Sequence, residues 1–301
     1  MNIVILGAGA IGSLFGALLS KKNNVVLIGR TSHVHAIRKH GLEIKGKTQM
    51  NVKISAKDSV DAIPFSVDLL MVTVKSYDTT SAIDQAKNII TDDTLVLSLQ
   101  NGLNNIAAIK QVVDQRQIIA GVTTHGALFS DPGCIRHTGV GKTILGELDS
   151  KASTRIKNII DIFNIVGIDT TVSNDIIREM WIKAVVNSCI NPITAFFGCS
   201  NGYLLENPIL EKIVEEICTE STHIAHAYGI KLSYRNMVSR TKEVIQETSE
   251  NYSSMLQSVK RGKKTEIDSI NGVLVDIGRI KKVDVSLNEI LVSLVKTLSD
   301  Q

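Results

Sequence analysis

Short apolar runs alternate with helical periodicity along the first half of the chain. The opening run Ile3–Leu6 has the length of a buried strand, and apolar residues then recur at helical spacing from Ile11 to Leu18. Similar runs predict strands at 24–29, 67–75, 94–102 and 117–127, with further, antiparallel strand structure at 137–147. This alternation predicts an α/β fold with a doubly wound, mostly parallel sheet of the Rossmann type.

The pattern changes at about residue 175, beyond which strand signals almost disappear. Segments 176–197, 207–230 and 263–280 show helical periodicity instead. The sequence therefore predicts two domains, a dinucleotide-binding domain over 1–174 and an all-α domain over 175–301 that carries the substrate. Because no long linker rich in Gly, Ser or Pro separates them, we expect the two to pack tightly, with a cleft between them.

Three glycines break the first apolar run in the pattern G-x-G-x-x-G, between a predicted strand and a predicted helix. Gly7 permits a sharp turn, Gly9 lets a pyrophosphate approach the backbone, and Gly12 lets helix and strand pack closely. A glycine-rich turn can also be purely structural, but the strand before it and the helix after it favour a dinucleotide site. The cofactor-binding positions predicted here are Gly7, Ala8, Gly9, Ala10, Ile11 and Gly12.

The end of the second predicted strand bears on which dinucleotide is bound. Proteins that bind NAD carry an acidic residue there, which holds the ribose 2′-hydroxyl. This chain has Arg30, Thr31 and Ser32 instead, and a guanidinium suits a 2′-phosphate. Arg30 could equally be an ordinary surface residue, yet its position relative to the glycines predicts a preference for NADP(H).

A stripe of polar residues lies on an otherwise apolar helix in the second half. Lys183, Asn187 and Asn191 are spaced i, i+4 and i+8, so they share one helix face. Buried polar groups need partners or a ligand, so the stripe indicates either a site or, equally, a snorkelling lysine with asparagines that cap neighbouring backbone. Pro192 is expected to bend or end this helix just beyond the stripe.

Composition excludes several classes of function. The 301 residues are 44% hydrophobic and 21% charged, with a net charge of +3 and no long basic tract that would indicate nucleic acid. No apolar run approaches the length of a membrane helix, and the start lacks the features of a signal peptide. Four cysteines without metal-ligand or redox-pair spacing predict reduced thiols, no metal site and a cytoplasmic location.

Several motifs together resemble the ketopantoate reductase (2-dehydropantoate 2-reductase) family over essentially the full length. They are GAGAIGS, VTVKSYD, QNGLNN, GVTTHGA, HTGVGKT, KAVVNSCINPITA, NYSSMLQ and KKTEIDSINGVL. The resemblance implies a fold like that of 6-phosphogluconate dehydrogenase. It also implies NADPH-dependent reduction of ketopantoate to (R)-pantoate, on the route to pantothenate and coenzyme A.

The resemblance also implies roles for individual residues. Lys183 matches the lysine that protonates the new alkoxide, and Glu266 matches a carboxylate near both substrate and cofactor. Residues implied to position the substrate are Asn101, Lys183, Asn187, Asn191, Asn201, Asn251 and Ser254. Cofactor contacts implied beyond the glycine turn are Arg30, Lys75, Asn101, Ala127 and Glu266. His125 and His137 are tempting acids, but a histidine beside a strand end is more often structural.

Two other functions remain open from the sequence. One is a related NADPH-dependent reductase of another small 2-oxo or 3-hydroxy acid. The other is a catalytically idle protein that senses NADPH, which would leave the polar residues of the cleft without a use. A homodimer is expected only by analogy with the family, and the expected partner is a small-molecule substrate rather than nucleic acid or a membrane.

Overall fold

The computed structural model describes residues 1–151 and 153–299. They divide into two compact units. One contains residues 1–100 and 105–179, and the other contains residues 101–104 and the chain from Met180 onward. The short segment 101–104 therefore groups with the second unit although it follows a strand of the first.

The first unit is built on an eight-stranded sheet. Its strands are β1 (Asn2–Leu6), β2 (Asn24–Ile28), β5 (Ser55–Lys57), β6 (Leu69–Val72), β7 (Leu95–Ser98), β8 (Ile118–Thr123), β11 (Thr143–Glu147) and β12 (Thr170–Val172). Their order across the sheet is β12-β11-β8-β7-β6-β1-β2-β5. All neighbouring strands run parallel except β8 and β11, which are antiparallel. The predicted parallel sheet with a late antiparallel strand is confirmed.

A second, four-stranded sheet with the order β4-β3-β10-β9 was not predicted as a separate layer. Its strands are β3 (Leu42–Gly46), β4 (Met50–Val52), β9 (Gly126–Asp131) and β10 (Cys134–Gly139). The predicted strand at 117–127 is thus divided between β8 and β9, which belong to different sheets. Strand β3 pairs in parallel with β10, so two distant parts of the chain complete this sheet together.

In the described part of the first unit, the α-helices beside the two sheets are α1 (Ala10–Leu19), α2 (Thr31–His40), α3 (Thr79–Ala86), α4 (Asn105–Ile109) and α5 (Thr154–Ile165). The apolar residues of β1 face a core that also contains Phe15 of α1 and Phe163 of α5, both fully buried. Residues 3 to 6 of β1 are all buried, whereas Asn2 at its start is half-buried. Burial of successive positions, which point to opposite faces of the sheet, explains the continuous apolar run.

Beyond β12 the described chain is helical: α6 (Ile176–Phe197), α7 (Tyr203–Glu206), α8 (Pro208–Tyr228), α9 (Tyr234–Glu247), α10 (Ser254–Val259), α11 (Val273–Lys281) and α12 (Ser286–Ser299). A π-helical turn, Asp268–Gly272, leads directly into α11. Pro192 was expected to bend or end its helix; it does not end it, since α6 continues five residues further. Within residues 1–151 and 153–299, none of the helices combines the length and apolar character needed to cross a bilayer.

Candidate active site

The glycine turn lies where three parallel strands of the first unit end. The N–H groups of Gly7 and Ala8 donate hydrogen bonds to the carbonyl of Ile28, at 3.0 and 2.7 Å, which joins the turn to the end of β2. Thr73, just past β6, donates from Oγ1 to the carbonyl of Gly7 at 2.8 Å. The carboxyl ends of β1, β2 and β6 therefore meet around this turn, which is where open α/β sheets bind ligands.

Each glycine of the turn has the surroundings that its predicted task requires. Gly7 has φ +109°, in the left-handed region, and a Cβ there would lie 2.5 Å from the N of Val74. A Cβ on Gly12 would lie 2.2 Å from the carbonyl oxygen of Gly7, so helix and strand meet too closely for any side chain. Gly9 is exposed, and nothing lies within 4 Å of where its Cβ would be. The face at Gly9 is therefore open to a ligand.

Basic residues follow two of the strands that end at this turn. Arg30 is exposed and forms the N-cap of α2, directly after β2, with Thr31 and Ser32 exposed beside it. Lys75 is half-buried and follows β6, at the start of a short 3₁₀ turn. Ala127 is half-buried in β9, where it pairs with His137. Arg30 and Lys75 thus follow β2 and β6, the strands that end beside the glycine turn. Ala127 belongs to the second sheet instead.

These features fit the pyrophosphate of a nicotinamide dinucleotide. The first turn of α1 has N–H groups without partners inside the helix and contains no acidic side chain. Its positive dipole end favours an anion there. The open face at Gly9 lets the phosphates approach the backbone, as the fingerprint requires.

In the second unit, α6 carries the predicted polar stripe. Lys183 and Asn187 are half-buried, and Asn191 is buried. Burial lowers the pKa of the Lys183 ammonium from 10.5 to about 8, while the carboxylate of Glu266 acts in the opposite direction. This lysine therefore changes its charge within reach of physiological pH.

Glu266 lies two residues before the π-helical turn and is buried. Asn101 donates from Nδ2 to Oε2 of Glu266 over 3.4 Å, and the N–H of Leu103 donates to the carbonyl of Ser269 at 3.3 Å. Gly102 has φ +93°, and a Cβ there would lie 2.6 Å from the same carbonyl oxygen, so only glycine permits this approach. Segment 101–104 is thus fixed against the turn that follows Glu266.

The remaining asparagines converge in the same unit. The N–H of Asn201 donates to the carbonyl of Asn251 at 2.9 Å, and Nδ2 of Asn201 donates to Oγ1 of Thr248 at 2.9 Å. Oδ1 of Asn201 is buried and has no hydrogen-bond partner within the part of the chain that the structure describes. Such an acceptor is costly unless a ligand donates to it.

The end of the polar stripe is tied to the start of α10. Thr194, three residues after Asn191, donates from Oγ1 to Oγ of Ser253 at 2.7 Å. Ser253 is the N-cap of α10, accepting from the N–H of Leu256, and Ser254 is the first residue of that helix. The predicted substrate residues Asn191, Asn201 and Ser254 are therefore held by neighbouring elements of one unit.

The two histidines considered as acids form a buried pair in the first unit. Nδ1 of His125 lies 3.2 Å from Nε2 of His137, and Nδ1 of His137 lies 2.9 Å from Oγ1 of Thr48. Burial lowers the pKa of His125 to about 4, so it is neutral near pH 7. The ring of His125 packs edge-on against Phe15. A neutral core histidine of this kind supports the structural interpretation of the pair.

Sequence reasoning missed Thr73, whose hydroxyl ties β6 to the glycine turn. Its position at the end of an apolar strand, level with the glycines, is the signal that could have found it. No group of three or more His, Cys, Asp or Glu side chains that could hold a metal occurs in residues 1–151 and 153–299.

Comparison with known proteins gives a consistent result over the whole chain. A family model described as ketopantoate reductase PanE/ApbA matches residues 3–150, and its C-terminal counterpart matches residues 175–299. A 2-dehydropantoate 2-reductase of Pyrococcus horikoshii is 41% identical, over 98% of this chain and 97% of the relative. One from Halobacterium salinarum is 35% identical, over 100% and 97%.

Solved structures agree in fold. A PanE/ApbA family ketopantoate reductase from Ralstonia eutropha JMP134 has a TM-score of 0.92 and 30% identity, covering 100% of this chain and 99% of that one. A ternary structure of D-mandelate dehydrogenase with NADH and anilino(oxo)acetate has a TM-score of 0.95 and 28% identity, with the same coverage. From the family models and the full-length relatives, this chain belongs to the ketopantoate reductase family.

Proposed function

We propose that this chain is a 2-dehydropantoate 2-reductase that uses NADPH to reduce ketopantoate to (R)-pantoate, in the biosynthesis of pantothenate and coenzyme A. The observation that carries the proposal is the burial of Lys183 near the carboxylate of Glu266, in a chain that belongs to this family. Burial lowers the pKa of this ammonium to about 8, and the charge of Glu266 acts in the opposite direction. Reduction of a ketone needs a proton donor whose pKa is close to the working pH, and this lysine meets that requirement.

A bound nicotinamide supplies the hydride for the carbonyl carbon. Lys183 stabilises the negative charge that develops on the carbonyl oxygen and then donates its proton to that oxygen. Glu266 favours the charged form of the lysine, so the proton is present at neutral pH in spite of burial. Asn101, which donates to Glu266, limits the orientations open to that carboxylate.

The neutral polar residues orient the substrate in this proposal. Asn187, Asn191, Asn251 and Ser254 supply donors and acceptors without adding a charge that competes with Lys183. We assign the buried and unpaired Oδ1 of Asn201 to the hydroxyl of the substrate, since that acceptor lacks a partner within residues 1–151 and 153–299.

NADPH rather than NADH is proposed on the basis of Arg30. Arg30 follows β2, at the position where proteins that bind NAD have a carboxylate for the ribose hydroxyl. Thr31 and Ser32, the next two residues, are also exposed. Lys75 and Ala127 are proposed as further cofactor contacts from their place in the family motifs.

The test is NADPH oxidation, followed at its absorbance, with ketopantoate as acceptor, for the parent enzyme and Lys183→Met. We expect turnover by the parent and a loss of about 100- to 10,000-fold in kcat for the variant. A variant within a few-fold of the parent would refute the role of Lys183. Binding of NADPH without oxidation on any 2-oxo acid would instead support a sensor of the cofactor.

The likeness to D-mandelate dehydrogenase favours one second candidate, a reductase of another 2-oxo acid. Measuring kcat/KM over a panel that contains ketopantoate, phenylglyoxylate and unbranched 2-oxo acids separates the two. A higher value for phenylglyoxylate than for ketopantoate would move the assignment to the second candidate.

Three further proposals have separate grounds. The change in sequence pattern indicates a boundary between the domains at 174/175, the spacing of the cysteines indicates a cytoplasmic location, and family membership suggests a homodimer. Light scattering of the purified protein tests the dimer, and limited proteolysis tests the boundary.

A further inference from the structure

Pro192 lies inside α6, and it leaves one carbonyl of that helix without its usual partner. In an α-helix, the N–H of residue 192 would donate to the carbonyl of residue 188. Proline has no N–H, so the carbonyl of Ser188 receives no such bond, although α6 continues to Phe197. Ser188 is fully buried, and an unpaired carbonyl at this depth is costly.

The side chain of Asn271 supplies the missing donor. Its Nδ2 donates to the carbonyl of Ser188 at 3.1 Å and to Oδ1 of Asn288 at 2.9 Å. The amide of Asn288 is itself oriented, because its Nδ2 donates to Glu220 Oε1 at 2.8 Å and to Ser221 Oγ at 3.1 Å. The Asn271 amide therefore has one consistent orientation, with its NH₂ group towards two acceptors.

This contact joins the two segments that carry the charged groups of the site. Ser188 lies little more than one helical turn after Lys183 on α6, and Asn271 belongs to the π-helical turn that begins just after Glu266. The N–H groups of Ser269 and Ile270 donate to the carbonyl of Glu266, at 3.0 and 3.1 Å, so the turn is continuous with that residue. Isolated π-turns of this kind occur frequently at functional sites.

Asn271 is held in place from its other side as well. Glu220 accepts from the N–H groups of Leu287 and Asn288, both at 2.9 Å, at the start of α12. Asn288 and Asn271 are both fully buried. A continuous set of hydrogen bonds thus runs from α8 and α12 through Asn271 to the backbone of α6.

We propose that Asn271 is a positioning residue for the reaction: its bond to the carbonyl that Pro192 leaves unpaired sets the placement of the Lys183 ammonium relative to the Glu266 carboxylate. The inference rests on the proposed function, in which Lys183 donates the proton. A misplacement of about 1 Å at such a pair is enough to cost a large part of the rate.

The test uses Asn271→Leu, which keeps the branched shape but removes the donors, alone and combined with Pro192→Ala. In the double variant, the N–H of residue 192 can donate to the carbonyl of Ser188, so the buried carbonyl is satisfied, while the connection between α6 and the π-turn stays broken. Each is compared with Pro192→Ala alone, by thermal midpoint, NADPH affinity, kcat and the pH dependence of kcat/KM.

We expect the double variant to regain part of the thermal stability that Asn271→Leu loses, because the carbonyl of Ser188 is satisfied again while Oδ1 of Asn288 still lacks its donor. It should bind NADPH as Pro192→Ala does. Its kcat should still be lower, by about tenfold or more. The alkaline limb of kcat/KM should lie at lower pH, because a displaced Glu266 no longer raises the pKa of Lys183. The position of that limb does not depend on how much of the enzyme is folded.

A double variant with the kcat and the alkaline limb of Pro192→Ala would overturn the inference, since Asn271 would then only satisfy a carbonyl. Lys183→Met is measured in parallel to separate this from failure of the proposed function. If Lys183→Met stays active, the proposed function fails and the inference fails with it. If Lys183→Met is inactive and the double variant is normal, the inference alone is wrong.

Discussion

Reduction of the oxo acid should slow steeply above pH 8, because the proton comes from Lys183. Burial brings the pKa of that ammonium from 10.5 to about 8. About nine-tenths of the enzyme then carries the proton at pH 7 and about one-tenth at pH 9, so kcat/KM should fall about tenfold between them. A lysine with an ordinary pKa would stay almost fully protonated over this range, and the rate would hardly change.

The assay is kcat/KM for ketopantoate at saturating NADPH between pH 6 and 10, with pantoate oxidation measured in parallel. Oxidation requires the neutral amine as base, so its rate should rise through the same pKa. Glu266→Gln should shift both curves to lower pH, since the carboxylate raises the pKa of Lys183. Lys183→Arg is the matched control: its guanidinium keeps the positive charge but cannot donate the proton, so the rate should fall and the residual activity should show no alkaline limb.

Two results would refute this reasoning. One is a flat profile from pH 7 to 10 in the parent enzyme, provided that the protein stays folded. The other is an alkaline limb that survives in Lys183→Arg, which would mean that a different group titrates.

Three further predictions concern the first unit. Gly12→Ala should lower the free energy of unfolding by at least about 1–3 kcal/mol, because its Cβ would lie 2.2 Å from the carbonyl oxygen of Gly7. Gly9→Ala should keep the thermal midpoint, since nothing lies within 4 Å of its Cβ, but it should weaken NADPH binding measured by calorimetry. An unchanged midpoint for Gly12→Ala would contradict this. Arg30→Ala should lower kcat/KM with NADPH about 10- to 100-fold and leave NADH nearly unaffected, and an equal loss with both would remove the 2′-phosphate role. Burial lowers the pKa of His33 from 6.5 to about 4. Between pH 4 and 6.5 the unfolded chain therefore binds more protons than the folded one, so the free energy of unfolding should fall as the pH drops through this range. In urea titrations His33→Gln should weaken this dependence, whereas the exposed control His35→Gln should keep it; identical slopes would count against the argument.

The sequence was most informative where structure is set by neighbours along the chain. The run Ile3–Leu6, the glycines and the helix after them are one continuous stretch, so their burial, turn and packing could be predicted together. The strands β3, β4 and β5 were missed, because each is short, contains polar residues and depends on pairing with distant segments. Local periodicity carries no information about such pairing.

The continuation of α6 past Pro192 has the same origin. The rule that proline can end a helix treats the helix alone, but the carbonyl of Ser188 in α6 accepts a hydrogen bond from Asn271, 83 positions after Ser188. The polar stripe at Lys183 could be predicted from the spacing of its residues along one helix. The hydrogen bond from Asn101 to Glu266 could not, because it joins residues that only the fold brings together. The roles of these site residues stay predictions until the variants are measured.

The parallel pairing of β3 with β10 has a consequence for synthesis on the ribosome. Glu43 lies opposite Cys134, so β3 emerges about ninety residues before the strand that completes its sheet. Until then, the nascent chain presents an unprotected strand edge, which other chains can pair with. Recombinant fragments that stop before residue 134 should therefore be prone to aggregate, while slower elongation at this stage would prolong the exposure.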